Sequence, residues 1–209
     1  MSPTVNLIIQ GALLGLGLAI MVGPIFIALM QTSIEKGGRA GLLVGLGIWI
    51  SDVLFITITY YFINKIANVV NDSTFQHWMG MLGGFILMVF GISALVKKIE
   101  VIIDRPSFNA KSLFSFWSKG FLVNTVNPFT FVFWISIIST YVIKEKVTHY
   151  EATVFLTTIL VVIIITDSLK VLLAKAIRKR LNERTITFLI KGAGLLLFLF
   201  GIALIVRTS

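Results

Sequence analysis

Six apolar blocks, each long enough to cross a bilayer, constrain this chain more than any other feature of it. A helix needs about 20 predominantly apolar residues to span the hydrocarbon core. The blocks run from about Asn6 to Gln31, Gly41 to Ile63, Trp78 to Val96, Phe116 to Ile143, Ala152 to Ala174 and Thr187 to Val206. Charged residues make up only 13% of the chain, against roughly 25% in a soluble domain. The gaps between blocks are too short to hold a soluble appendage. The expected fold class is an all-α integral membrane protein of six transmembrane helices, forming a single transmembrane domain over residues 1–209. No Lys or Arg precedes the first block, and no small-residue cleavage site follows it. It is therefore expected to be a retained helix and not a signal peptide.

The net charge of +9 is unevenly placed. Lys36 and Arg39 lie in the first loop, Lys97, Lys98, Arg105, Lys111 and Lys119 in the third, and Lys175, Arg178, Lys179, Arg180 and Arg184 in the fifth. The other side holds only Lys65, Lys144, Lys146 and Arg207. By the positive-inside rule the odd loops face the cytoplasm and both termini face outside. The basic loops read as partners of anionic lipid, not of nucleic acid, because no aromatic-basic motif interrupts the helices. The stretch from Lys97 to Lys119 mixes apolar and basic residues and is expected along the cytoplasmic interface. The chain has no cysteine, which excludes disulfides, thiol relays and Cys-ligated metals. His77 and His149 have no second ligand at metal spacing and are read as loop residues. No metal and no cofactor is expected.

Three features recur in the same order in each half of the chain. The first block breaks at Gly23-Pro24 and the fourth at Asn127-Pro128. The second carries a lone Asp52 and the fifth Asp167. The third contains Gly84 and Gly91 and the sixth Gly194 and Gly201, at equal spacing. With an odd number of spans per half, a duplication over about 1–100 and 101–209 inserts as two inverted three-helix repeats, with helices 1 and 4 broken.

The candidate residues follow from the cost of polar groups in lipid. Proline removes a backbone donor and clashes with the preceding turn. Broken helices can present freed backbone groups to a ligand, and a matched pair of breaks points to a binding site. That singles out Gly23, Pro24, Asn127 and Pro128, with Asn124 one turn before Pro128. A central charge costs roughly 2.5–3.5 kcal/mol on insertion scales. Asp52 sits among Trp49, Ile50, Ile56 and Ile58 with no basic residue within a helical turn. It is a candidate for binding an amino group or carrying a proton, the alternative being a structural acid held by a neighbouring helix. Asp167 and Lys170 share a face one turn apart and read equally as a structural ion pair or as a gate or substrate contact. The glycine steps Gly11/Gly15, Gly41/Gly45 and Gly80/Gly84 allow close helix approach, either inside one subunit or in a homodimer.

Gly23-Pro24, the run Glu35-Lys36-Gly37-Gly38-Arg39-Ala40-Gly41 and Ile50-Ser51-Asp52-Val53 resemble the opening of the LysE/RhtB family of amino acid exporters. Gly120 to Pro128 resembles that family's second segment ending in Asn-Pro, and the closing helix through Phe200-Gly201-Ile202 also fits. The resemblance covers essentially the whole chain. It implies a secondary transporter in the bacterial cytoplasmic (inner) membrane, exporting amino acids or related small metabolites with proton coupling. Gly23, Pro24, Asp52, Asn127 and Pro128 are the positions it carries over. Some members place an acid directly after Gly-Pro. This chain has Ile25 there, so the polarity it offers a substrate differs. A metal cation as cargo would need several oxygen ligands, and Asp52 and Asp167 with nearby amides and hydroxyls are a thin set. A non-transporting membrane scaffold is the further alternative. An enzyme would want a nucleophile–base pair or a metal cluster in the helices, and neither is found.

Overall fold

The computed structural model describes residues 3–20, 23–70, 72–96, 110–144, 147–178 and 183–208. Among these the fold is helical, with no strand. The helices are α1 (Pro3–Ile20), α2 (Pro24–Lys36), α3 (Gly38–Val70), α4 (Ser73–Val96), α5 (Ala110–Thr125), α6 (Pro128–Ile137), α7 (His149–Arg178) and α8 (Glu183–Thr208). α6 continues as a π-helical stretch over Ile138–Lys144.

Two helices are long and apolar enough to cross a membrane unaided, within Gly38–Phe62 of α3 and His149–Ala174 of α7. α1 and α2 do so only as a pair bent by 65°, and α5 and α6 as a pair bent by 63°. The apolar stretches of α4 and α8, Gly80–Val96 and Gly194–Arg207, are shorter. The described structure therefore carries two to four spans by length and composition, beside the six expected. Leu13, Ile20, Phe62, Trp78, Phe85, Phe188 and Val206 are among the large apolar side chains left exposed. A lipid-facing surface has this character, and a soluble monomer rarely shows so much of it.

Local chemistry explains the breaks. Gly23 is extended (φ −147°, ψ −172°) and Pro24 opens α2, where a missing N–H costs no hydrogen bond. Asn127 is the N-cap of α6, and Pro128 again starts the helix. Each proline thus restarts a helix instead of kinking one. α2 ends at Gly37, whose φ of 94° few other residues tolerate. That single residue turns the chain into α3.

The main packing joins early helices to late ones: α1 lies on α7, α3 on α5 and α4 on α8. Glycines make the approach. A Cβ on Gly120 would stand 1.9 Å from the Val44 carbonyl oxygen, and one on Gly47 would stand 2.0 Å from that of Trp117. Gly11 faces Phe155 and Thr158, and Gly15 faces Ile159 and Val162, so α1 and α7 run in the same direction. Gly84 meets Gly201 and Gly91 meets Gly194, so α4 and α8 run in opposite directions. One apolar core gathers Trp134, Ile138, Phe155 and Ile159 with Leu7; a second gathers Leu29, Val44, Ile48, Val123 and Val171.

Several local expectations change. His77 lies inside α4, ring edge to Trp78, and His149 begins α7 in contact with the Tyr60 hydroxyl, so neither is a loop residue. Helix α5 starts at Ala110, not at Phe116. Residues 97–109, with Lys97, Lys98 and Arg105, lie outside the described residues. The atoms nearest to a Cβ on Gly45 belong to Trp49 of its own helix; Gly47 and Gly120 hold the α3–α5 contact.

Gly120→Val is expected to lower stability by about 1–3 kcal/mol, the usual cost of overpacking a tight contact. Gly17→Ala, with nothing within 4 Å of the new methyl, is expected to be neutral or slightly stabilising. Thermal unfolding of the purified protein in detergent checks both.

Candidate functional site

The two breaks, the long helices α3 and α7, and α8 line an open cavity of about 400 Å³. Gly23, Pro24, Asp52, Asn124, Asn127, Asp167 and Lys170 all line it. Pro128 opens α6 beside them. The structure thus gathers residues distant in sequence around one space, and most of the remaining wall is apolar, including Leu18, Phe26, Leu87, Phe129, Phe133 and Phe200.

Asp52 is 5% exposed on α3. Its Oδ1 accepts two hydrogen bonds, from Asn124 Nδ2 on α5 at 2.9 Å and from Trp134 Nε1 on α6 at 2.9 Å. Its Oδ2 accepts none among the described residues. The Asn124 amide has no freedom left. Nδ2 also donates to the Ile48 carbonyl at 3.2 Å, and Oδ1 accepts from Thr130 Oγ1 at 2.9 Å. Asn124 belongs to α5, and Thr130 and Trp134 to α6. One carboxylate therefore holds both arms of a broken helix. Asn127 caps α6 by accepting from the Phe129 N–H at 3.1 Å.

Asp167, 2% exposed on α7, is held differently. Lys170 Nζ donates to Oδ1 at 2.9 Å, and Trp49 Nε1 from α3 donates to Oδ2 at 3.3 Å. A basic partner thus exists for Asp167 and, among the described residues, none for Asp52. The first break is barer. Gly23 offers no side-chain cap, and Ile27 N–H reaches the Gly23 carbonyl at 3.0 Å. Ile25 and Phe26, whose N–H groups in the first turn of α2 have no intrahelical acceptor, line the cavity.

Reading the sequence for charges and breaks missed Trp134, Thr130, Trp49, Thr166 and Arg207, all of which line the cavity or hold its acids. Thr130 and Trp134 stand four residues apart after a helix restart, and so share the face that Asn124 meets. That spacing was the available signal. Among the described residues no group of three or more His, Asp or Glu is placed to hold a metal ion.

A helical protein with broken helices around a mainly apolar cavity holding acids is the class that the geometry defines. A family model described as LysE type translocator matches residues 16–208, so the chain belongs to that family of transporters. It is similar to the Bacillus subtilis (strain 168) protein named "Putative amino acid efflux protein YcgF", at 27% identity over 198 residues, covering 94% of this chain and 93% of that one. No solved structure matches.

Thr130→Val keeps the shape and removes the donor to Asn124 Oδ1. Leaving that buried oxygen unsatisfied is expected to cost about 1–3 kcal/mol. Thermal unfolding should show this loss exceeding that of Thr57→Val, since the exposed Thr57 hydroxyl donates only to a carbonyl of its own helix.

Proposed function

We propose that this protein is a secondary exporter of amino acids in the bacterial inner membrane, coupled to protons, with Asp52 as the residue that meets the substrate ammonium or the proton. The observation that carries this reading is the asymmetry of the Asp52 carboxylate. One oxygen is fixed by two neutral N–H donors, and the other is free of protein partners among the described residues, in a cavity it lines. A buried carboxylate without a protein cation is favoured only with a proton or a cationic ligand nearby. The helix starts at Pro24 and Pro128 supply N–H groups and positive dipole ends suited to the carboxylate of a zwitterion. Asp167 and Lys170 complete the charge balance. The family and the relative named for amino acid efflux support amino acids as cargo.

The architecture that goes with this reading is two inverted three-helix repeats with both termini outside. Exchanging α1–α2 for α5–α6, α3 for α7 and α4 for α8 maps the three main pairings, α1 on α7, α3 on α5 and α4 on α8, onto one another, which supports it. So do α4 and α8, whose 24 and 26 residues, at about 1.5 Å each, reach across a hydrocarbon core of about 30 Å. In that frame the cavity lies between the repeats and opens to either side in turn.

Exporter-deficient cells fed a panel of dipeptides test the proposal. Mass spectrometry of the medium should show one class of amino acid released faster by the wild type than by empty cells. Asp52→Asn, at equal membrane abundance, should abolish gradient-driven release. Normal release by that variant removes Asp52 from the mechanism, and an unchanged medium with wild type removes amino acids as the cargo.

A further inference from the structure

The two acids of the cavity differ in what they leave available. Asp52 keeps one oxygen free of protein partners among the described residues. Asp167 keeps none, because Lys170 Nζ sits 2.9 Å from Oδ1 and Trp49 Nε1 reaches Oδ2 at 3.3 Å. Lys170 itself lines the cavity, and its side chain is only 16% exposed. The space therefore contains two carboxylates and two protein cations, the Arg207 guanidinium and the Lys170 ammonium, of which Lys170 is paired with Asp167.

We propose that Lys170 is a specificity-determining residue. Its ammonium occupies the carboxylate that a second substrate cation would need, so the cavity refuses diamino acids and takes monoamino acids with bulky apolar side chains. This rests on the exporter reading and narrows its substrate. The α-ammonium has Asp52 Oδ2. A side-chain ammonium would leave water for a wall of Phe26, Leu87, Phe129, Phe133, Ile163 and Phe200. There it would face the Lys170 and Arg207 cations with no free acid among the described lining residues, and an unpaired buried charge is strongly disfavoured. An apolar side chain gains by leaving water for the same wall. Specificity of this kind needs a repulsive element as well as an attractive one, and Lys170 is that element.

The test compares lysine with leucine in exporter-deficient cells that express the full chain and are fed dipeptides of each. Wild type should release leucine well ahead of lysine. Lys170→Met exposes the second acid and should raise the lysine-to-leucine release ratio on the order of tenfold, the scale set by couplings between close charge pairs. Adding Asp167→Asn should cancel that rise, which a merely structural role would not predict. Should Lys170→Met fail to accumulate in the membrane, Thr166→Asp carries the same expectation, since it adds an acid to the wall and leaves the pair intact. Wild type that releases lysine as fast as leucine overturns the proposal. So does an inserted variant that exports leucine at an unchanged ratio. If inserted wild type releases no amino acid at all, the exporter reading itself falls, and this inference with it.

Discussion

Lipid offers no water to a backbone N–H or carbonyl, so a helix broken at membrane depth must settle its loose ends within the protein. This chain does so twice, by different means. At the second break side chains do the work: Asn127 caps α6, Thr130 fixes Asn124, and Asn124 reaches the Ile48 carbonyl and Asp52. At the first break Pro24 brings no N–H, and the Gly23 carbonyl accepts from the Ile27 N–H. The cavity lies where these two solutions face each other, so its position follows from the breaks.

The same contrast runs through the electrostatics. Asp52 is held by neutral donors from α5 and α6 and keeps one oxygen toward the cavity, whereas Asp167 is matched by a cation three residues away on its own helix. Neutral donors orient a carboxylate without cancelling it. An ion pair cancels it and leaves little for a ligand to gain. The two acids of the cavity are thus given unequal surroundings by their neighbours.

Much of this was legible in the sequence because it depends on residue type alone. A long apolar run, a missing N–H at Pro24 or Pro128, and a lone Asp52 need no partner to be recognised. The two breaks, the long α3 and α7, and the adjacency of Asp167 and Lys170 all appear in the structure where the residues put them. What stayed hidden depends on partners. Trp134 is among the largest fully buried side chains, yet within an apolar run it is indistinguishable from a packing or interfacial tryptophan. Gly47 and Gly120 look like any other glycines until Val44 and Trp117 are brought against them. The π-helical continuation after Ile137 has no local signature either.

The packing of α1 on α7, α3 on α5 and α4 on α8 has a consequence for assembly. Each half of the polypeptide packs extensively on the other, and the glycines at Gly11, Gly15, Gly47, Gly84 and Gly91 meet helices of the opposite half. A chain of half this length would have its grooves without their ridges. The first three or four helices to leave the ribosome are in that position, held by the bilayer and waiting for the rest of their own sequence to arrive.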